Sequence, residues 1–237
     1  SPRNKIEVIK TILLDPNIAL EEMEKLEEEL LIEQDLAALV EDIGGVATYP
    51  SIVPADAGLL RAAELGAHEW LHQFWFFHPL GRNFNSSSTM RTLNETAADL
   101  AGTELGQAVY KSIAGGVLPV SENYGYASVK INDPGAFDFR VEMNKTRVLV
   151  DKLLGMGQTE EAELYMEERR QRFVENGIFI RKLNQAYFAF HGAYASSPAS
   201  VSPIKSQLEQ VRAGVGSVGG FVRVVAGFDS VEKLERY

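Results

Sequence analysis

The sequence predicts a mainly helical α+β fold, and three features carry that prediction. Apolar residues recur at steps of three and four over most of the chain, the period of a helix with one buried face. The one region that reads as paired strands is short and centres on Gly44-Gly45. Hydrophobic residues make up 45% of the 237 residues, ample for a real core. The chain reads as one domain in three stretches: helices and a hairpin over residues 1–55, a central helical pair over 56–115, and a helical remainder over 116–237.

Taken in order, Ile6, Ile9, Leu13 and Leu14 fall at helical spacing, and Asp15-Pro16-Asn17 stops that helix. A second helix follows with Leu20, Met23, Leu26 and Leu30 as its buried stripe; its glutamates, Glu21 to Glu29, read as the solvated face. Leu36–Val40 and Val46–Val53 flank Gly44-Gly45 as a small hairpin. Asp56 is placed to cap a helix that starts near Ala57 and ends at Pro79-Leu80-Gly81, with Phe74 to Phe77 as its buried end. Asn83 to Thr89 is polar and reverses the chain, and Ser88 or Thr89 caps a helix running to about Ser112.

Past Gly115-Gly116, the stretch with Tyr124, Tyr126 and Asn132-Asp133-Pro134-Gly135 reads as an irregular lid or substrate loop. Phe139–Leu154 and Thr159–Asn176 read as two helices joined by Gly155-Met156-Gly157-Gln158, the second closed by Gly177. A helix from about Ile180 to Tyr194 would place Asn184, Tyr187, His191 and Tyr194 on one face. Ala195–Pro203 is a turn, and three short helices end the chain at Ile204–Arg212, Val218–Ala226 and Val231–Arg236.

Composition narrows the function. A net charge of −10 argues against a nucleic-acid partner and against anionic lipid. With no cysteine, disulfides and thiolate chemistry are excluded, and any metal must be held by histidine and carboxylate. No apolar run approaches the ~18 residues of a membrane span, and the start does not read as a signal peptide. The chain is therefore expected to be soluble as it stands. It opens Ser1-Pro2-Arg3-Asn4 without methionine, which suggests a piece of a longer protein.

The chemistry concentrates in Ala67-His68-Glu69-Trp70-Leu71-His72. Two histidines four apart leave a helix from one face, one turn apart, and can grip one metal ion. Glu69 is placed to reach a water held on that ion, as a general base must. This is the His-Glu-x-x-His pattern of zinc metallopeptidases. A catalytic zinc needs a third protein ligand and an open fourth position. Glu95, 95 − 72 = 23 residues past His72, can supply the ligand from a second helix. Asp99, one turn on, is placed to accept the other ring N–H of His68, with Asn94 as a further supporting residue. His78 is a rival third ligand, but the position three before it is Trp75, where a chain reversal would need glycine. A helix that simply continues carries His78 out of reach. On the Ile180–Tyr194 face, Tyr187, His191 and Tyr194 are the candidates to donate a hydrogen bond to an oxyanion.

His68-Glu69-x-x-His72 with Asn94-Glu95-x-x-Ala98-Asp99 resembles the gluzincin metallopeptidases, whose third ligand is a glutamate on a following helix. The wider chain, especially Arg181-Lys182-Leu183-Asn184-Gln185-Ala186-Tyr187-Phe188-Ala189-Phe190-His191-Gly192, is similar to a family of largely uncharacterised bacterial proteins described as peptidases, and that similarity covers most of the chain. The resemblance implies a zincin-like core, and relatives with extra N-terminal sequence that in some cases includes a membrane segment. The expected function is a Zn²⁺-dependent hydrolase of peptides or proteins: His68, His72 and Glu95 hold the ion and Glu69 activates its water. The alternative is a non-catalytic helical interaction or regulatory domain with a closed zinc site, which His78 would complete.

Overall fold

The computed structural model of the chain describes residues 1–42, 44–119 and 137–237. Its helices are α1 (Leu20–Gln34), α2 (Leu59–Trp75), α3 (Pro79–Arg82), α4 (Ser88–Ala114), α5 (Phe139–Gly155), α6 (Thr159–Glu175), α7 (Gln185–His191), α8 (Ile204–Ala213), α9 (Val218–Ala226) and α10 (Val231–Glu235). No sheet accompanies them among the described residues, where β pairing is limited to two isolated bridges, Pro2 with Leu36 and Val46 with Ile52. None of these helices is long and apolar enough to cross a membrane. The expected lid at Tyr124–Gly135 lies outside the described residues. The chain divides into two compact units, each assembled from separated segments.

The first unit takes in residues 1–42, 137–193 and 197–201 of those described. Phe139, Met143, Val150 and Leu154 on α5 pack against Ala162, Met166 and Phe173 on α6, with Leu183, Tyr187 and Phe188 completing the core. The helix expected over Ile6–Leu14 does not form: Ile9, Ile12 and Leu13 are more than half exposed and the segment carries no helix. A stretch this short is unstable as an isolated helix unless a stripe is buried, and this stripe is not. On α1 one glutamate departs from the solvated face. Glu27 is 1% exposed, and its carboxylate accepts from Arg181 (2.6 and 2.9 Å), from the Val40 amide (2.6 Å), and from Lys182 at 2.7 Å.

That cluster also explains why no hairpin joins residues 36–40 to 46–53. The backbone groups of 36–40 are already engaged: Ala37 N–H donates to Ser1 O, Val40 O accepts from Arg181, and Ala38 O accepts from the Asn184 side chain. The long helix expected over 180–194 is cut to α7 at both ends: Asn184 is its N-cap, taking the Tyr187 amide on Oδ1 at 2.9 Å, and Gly192 is its C-cap. What reads as a four-residue polar face therefore comes apart: Asn184 caps, Tyr187 and His191 lie on the helix, and Tyr194 lies beyond it.

The second unit comprises residues 44–119, 194–196 and 202–237 of those described. Helix α4 is its axis, buried on more than one side, and its core joins Leu71 and Trp75 of α2 and Leu93 and Ala97 of α4 to Leu208, Phe221 and Val225 of α8 and α9. Trp75 is fully buried and satisfies its indole N–H on Val222 O at 3.1 Å. The aromatic run after it is not the buried end expected: Phe76 and Phe77 are 66% and 73% exposed, since α2 stops at Trp75 and the chain turns into α3. The caps shift as well. Helix α2 starts after Gly58 with no side-chain cap, so Asp56 is not used, and α4 is capped by Ser87, whose Oγ accepts the Met90 amide at 3.1 Å.

Candidate metal centre

Small residues on α4 set how near it comes to α2. A Cβ at Gly102 would lie 2.9 Å from the Cα of His68, and one at Gly106 2.4 Å from the Cα of Glu64. Four residues forward on α4 thus match four back on α2, so the two helices run antiparallel in contact. Continued by one turn, that register sets Ala98 against His72, with Glu95 less than one turn further along α4 and its carboxylate in reach of both imidazoles.

The three expected ligands converge. His68 Nε2 and His72 Nε2 stand 3.3 and 3.4 Å from Glu95 Oε2, and 3.0 Å from each other. Donor atoms held ~2.0–2.1 Å from one tetrahedral ion stand ~3.3 Å apart, so the triangle has the dimensions of a coordination face. Among the described residues this is the one group of three or more His, Asp or Glu side chains that could hold a metal ion. Glu95 Oε2 is buried and makes no hydrogen bond within the usual geometry. A buried carboxylate oxygen left in that state is costly, and a cation at the centre of the triangle removes the cost. The residues present therefore fit a divalent ion.

Electrostatics agree. Burial alone would raise the Glu95 carboxyl, yet the two imidazoles hold it well below the usual carboxylate range. Burial would push the His72 imidazole down, but the Glu95 carboxylate beside it, with Glu69 further off, carries it above its ordinary value. Both shifts express one demand, for positive charge between these side chains. The other ring nitrogen of His72 is held by Asn94, whose Oδ1 lies 2.8 Å from Nδ1; Asn94 is buried and donates its own amide to Leu80 O at 3.3 Å. An amide oxygen accepts only, so Nδ1–H donates to it, which leaves Nε2 as the ring nitrogen available to a metal ion.

Glu69 is 8% exposed, and burial raises its pKa, opposed by the two imidazoles and reinforced by Glu95. Its carboxylate lies against the backbone of the preceding loop: a Cβ on Gly45 would come 2.7 Å from Glu69 Oε1. That loop is closed by paired Val46 and Ile52 backbone bonds of 3.0 and 3.1 Å, and is tied to α2 by Gln73, which donates to Ser51 Oγ at 2.8 Å and to Thr48 O. Hence the segment upstream of His68 does border the site, as a single bridge and a loop.

Of the three candidate donors, Tyr194 belongs to this unit, with its ring centroid 6.2 Å from that of His68. Burial raises its pKa far above the ordinary value, and the Glu95 and Glu69 carboxylates add to the rise, so its phenol stays a donor. Tyr187 and His191 belong to the first unit, where their rings lie 4.3 Å apart and His191 Nε2 pairs with Glu41 Oε2 at 2.7 Å. Asp99, expected beside His68, has its Oδ2 engaged by Ser196 Oγ at 2.8 Å. His78 stands outside the metal group as the N-cap residue of α3, with its ring 5.0 Å from Phe74.

Sequence reasoning missed Gly45, Gly102 and Gly106. For the last two the signal was present, as small residues one helical turn apart on the ligand-bearing helix. No family model, curated protein sequence or solved structure matches the chain.

Proposed function

We propose that this protein is a zinc-dependent hydrolase of peptide bonds with a zincin-like site. The observation that carries the proposal is the triangle of two imidazole nitrogens and an otherwise unpartnered Glu95 oxygen, with a second buried carboxylate, Glu69, beside it. Two nitrogens and one carboxylate oxygen suit Zn²⁺, whereas Ca²⁺ and Mg²⁺ take oxygen ligands in larger number. With three ligands supplied, one corner of a tetrahedron is left for solvent, the arrangement of a catalytic rather than a structural ion. Zn²⁺ held there supplies a Lewis acid and lowers the pKa of a water toward ~7.

The chain's own groups then divide the work. His68, His72 and Glu95 bind the ion, and Asn94 keeps His72 in the tautomer that can. Glu69, made more basic by burial, takes a proton from water on a carboxylate oxygen as the water oxygen bonds to the scissile carbonyl carbon. It returns that proton to the amide nitrogen as the C–N bond breaks. Tyr194, protonated at neutral pH, donates its O–H to the carbonyl oxygen as negative charge develops there.

The test is direct. Purified protein should contain one zinc by mass spectrometry, cleave unstructured peptides, lose that activity in 1,10-phenanthroline and regain it on adding Zn²⁺. Zinc-replete protein that cleaves no peptide overturns the proposal.

A further inference from the structure

We infer that Thr96 and Asp99 are positioning residues for Tyr194, holding it through the two residues that follow; the inference rests on the hydrolase reading of the same site. Tyr194, Ala195 and Ser196 form a three-residue insert in the second unit and lie in no helix or strand. Two side chains from α4 fasten it. Thr96 Oγ1, on a fully buried residue, accepts the Ala195 amide at 3.0 Å, and Asp99 Oδ2 accepts Ser196 Oγ at 2.8 Å.

These anchors are three residues apart, so they leave one face of α4, and Glu95 immediately precedes the first. The element that carries a metal ligand therefore also holds the Ala195 amide and the Ser196 hydroxyl. Placement of the phenol against Glu95 is set by one rigid helix rather than by the loop. A hydroxyl and a carboxylate spent on a short irregular segment make sense if the position of its aromatic residue matters, since misplacing a catalytic donor by ~1 Å can cost ~10²-fold in rate.

The experiment compares Tyr194→Phe, Asp99→Ala, Ser196→Ala and Thr96→Val with Asn94→Ala in the full chain, by Zn²⁺ affinity, by steady-state hydrolysis of an unstructured fluorogenic peptide, and by amide exchange of the peptide covering 194–196. Asp99→Ala and Ser196→Ala should lower kcat by about tenfold or more with KM and zinc affinity unchanged, should add nothing in the Tyr194→Phe background, and should speed exchange at 194–196. Asn94→Ala should weaken zinc instead. A loss of zinc affinity in Asp99→Ala like that of Asn94→Ala, or losses that multiply with Tyr194→Phe, overturns the inference. Ser196→Ala, at a half-buried residue, decides the matter if Asp99→Ala fails to fold. Should the wild-type zinc protein cleave nothing, the hydrolase reading falls alone: faster exchange at unchanged zinc affinity still supports the anchoring, and unchanged exchange refutes it.

Discussion

Gly102 on α4 stands against the backbone of His68 on α2, so near that a methyl at position 102 would meet both the His68 Cα and its N at 2.9 Å. The approach of two helix backbones, rather than any feature of the ligands, brings Glu95 into reach of the imidazoles. Gly102→Ala must push the helices apart. Overpacking of this kind costs about 1–3 kcal/mol, and the same displacement should weaken zinc binding. Thermal unfolding of the apo protein and a zinc competition titration read the two effects; a variant that keeps both wild-type values refutes this account of the site.

Glu69→Gln separates binding from chemistry. The amide keeps the shape and leaves all three ligands in place, but cannot take a proton. Zinc content should be unchanged and kcat should fall by about 10²–10⁴-fold. Hydrolysis near the wild-type rate in a metal-replete variant would sink the general-base role.

Asn94→Ala removes the acceptor from His72 Nδ1 and frees the ring to adopt either tautomer. Loss of such a partner lowers metal affinity by about 10–100-fold. Isothermal titration with Zn²⁺ checks this, and an unchanged Kd would mean that packing alone orients His72.

Gly45→Ala puts a methyl where the Glu69 carboxylate now lies, 2.7 Å from Oε1. Zinc affinity should stay within about twofold while kcat falls by roughly tenfold, because a displaced base loses its alignment and the ligands do not move. Equal losses in both would place Gly45 in the folding of the loop instead.

Glu27 gives the first unit a pH dependence. Burial opposes ionisation, but Arg181, Lys182 and the Val40 amide hold its carboxyl below the ordinary 4.5. A group whose folded pKa is depressed stabilises fully above its unfolded value, and that contribution is lost as pH falls from about 4.5 through the folded value. Glu27→Gln should cost about 2–3 kcal/mol at neutral pH, at or below the foot of the ~3–5 kcal/mol range for breaking a buried pair because both cations are partly exposed, and the gap to wild type should narrow in acid. Urea unfolding of both proteins at pH ~7 and pH ~3 measures it.

What was legible in the chain is what depends on near neighbours. His68, Glu69 and His72 are fixed relative to one another by helical geometry alone, and Glu95 needed only a second helix at a workable distance. The limits of α9, Val218–Ala226, follow from local pattern in the same way. The contact of Asp99 with Ser196 was not legible because Ser196 is 97 residues away and sits in a segment with no pattern of its own. The polar steps Asn184, Tyr187, His191 and Tyr194 imitate a helix face, yet the first of them caps the start of α7 and the helix ends at His191, with Gly192 as its C-cap, which leaves Tyr194 beyond it. Glu27 looks like its exposed neighbours, since nothing in α1 itself announces two cations from positions 181 and 182.

The core around the ligand helices has a consequence for biosynthesis. Leu71, Trp75 and Leu93 are covered by Leu208, Phe221, Val225 and Leu234, so the residues that seal the ligand-bearing helices are translated after them. All three ligands are made by residue 95, yet this cover follows more than a hundred residues later, and a growing chain exposes that face of the ligand helices in the interval. A chain cut before Ile204 would carry all three ligands and lack this cover.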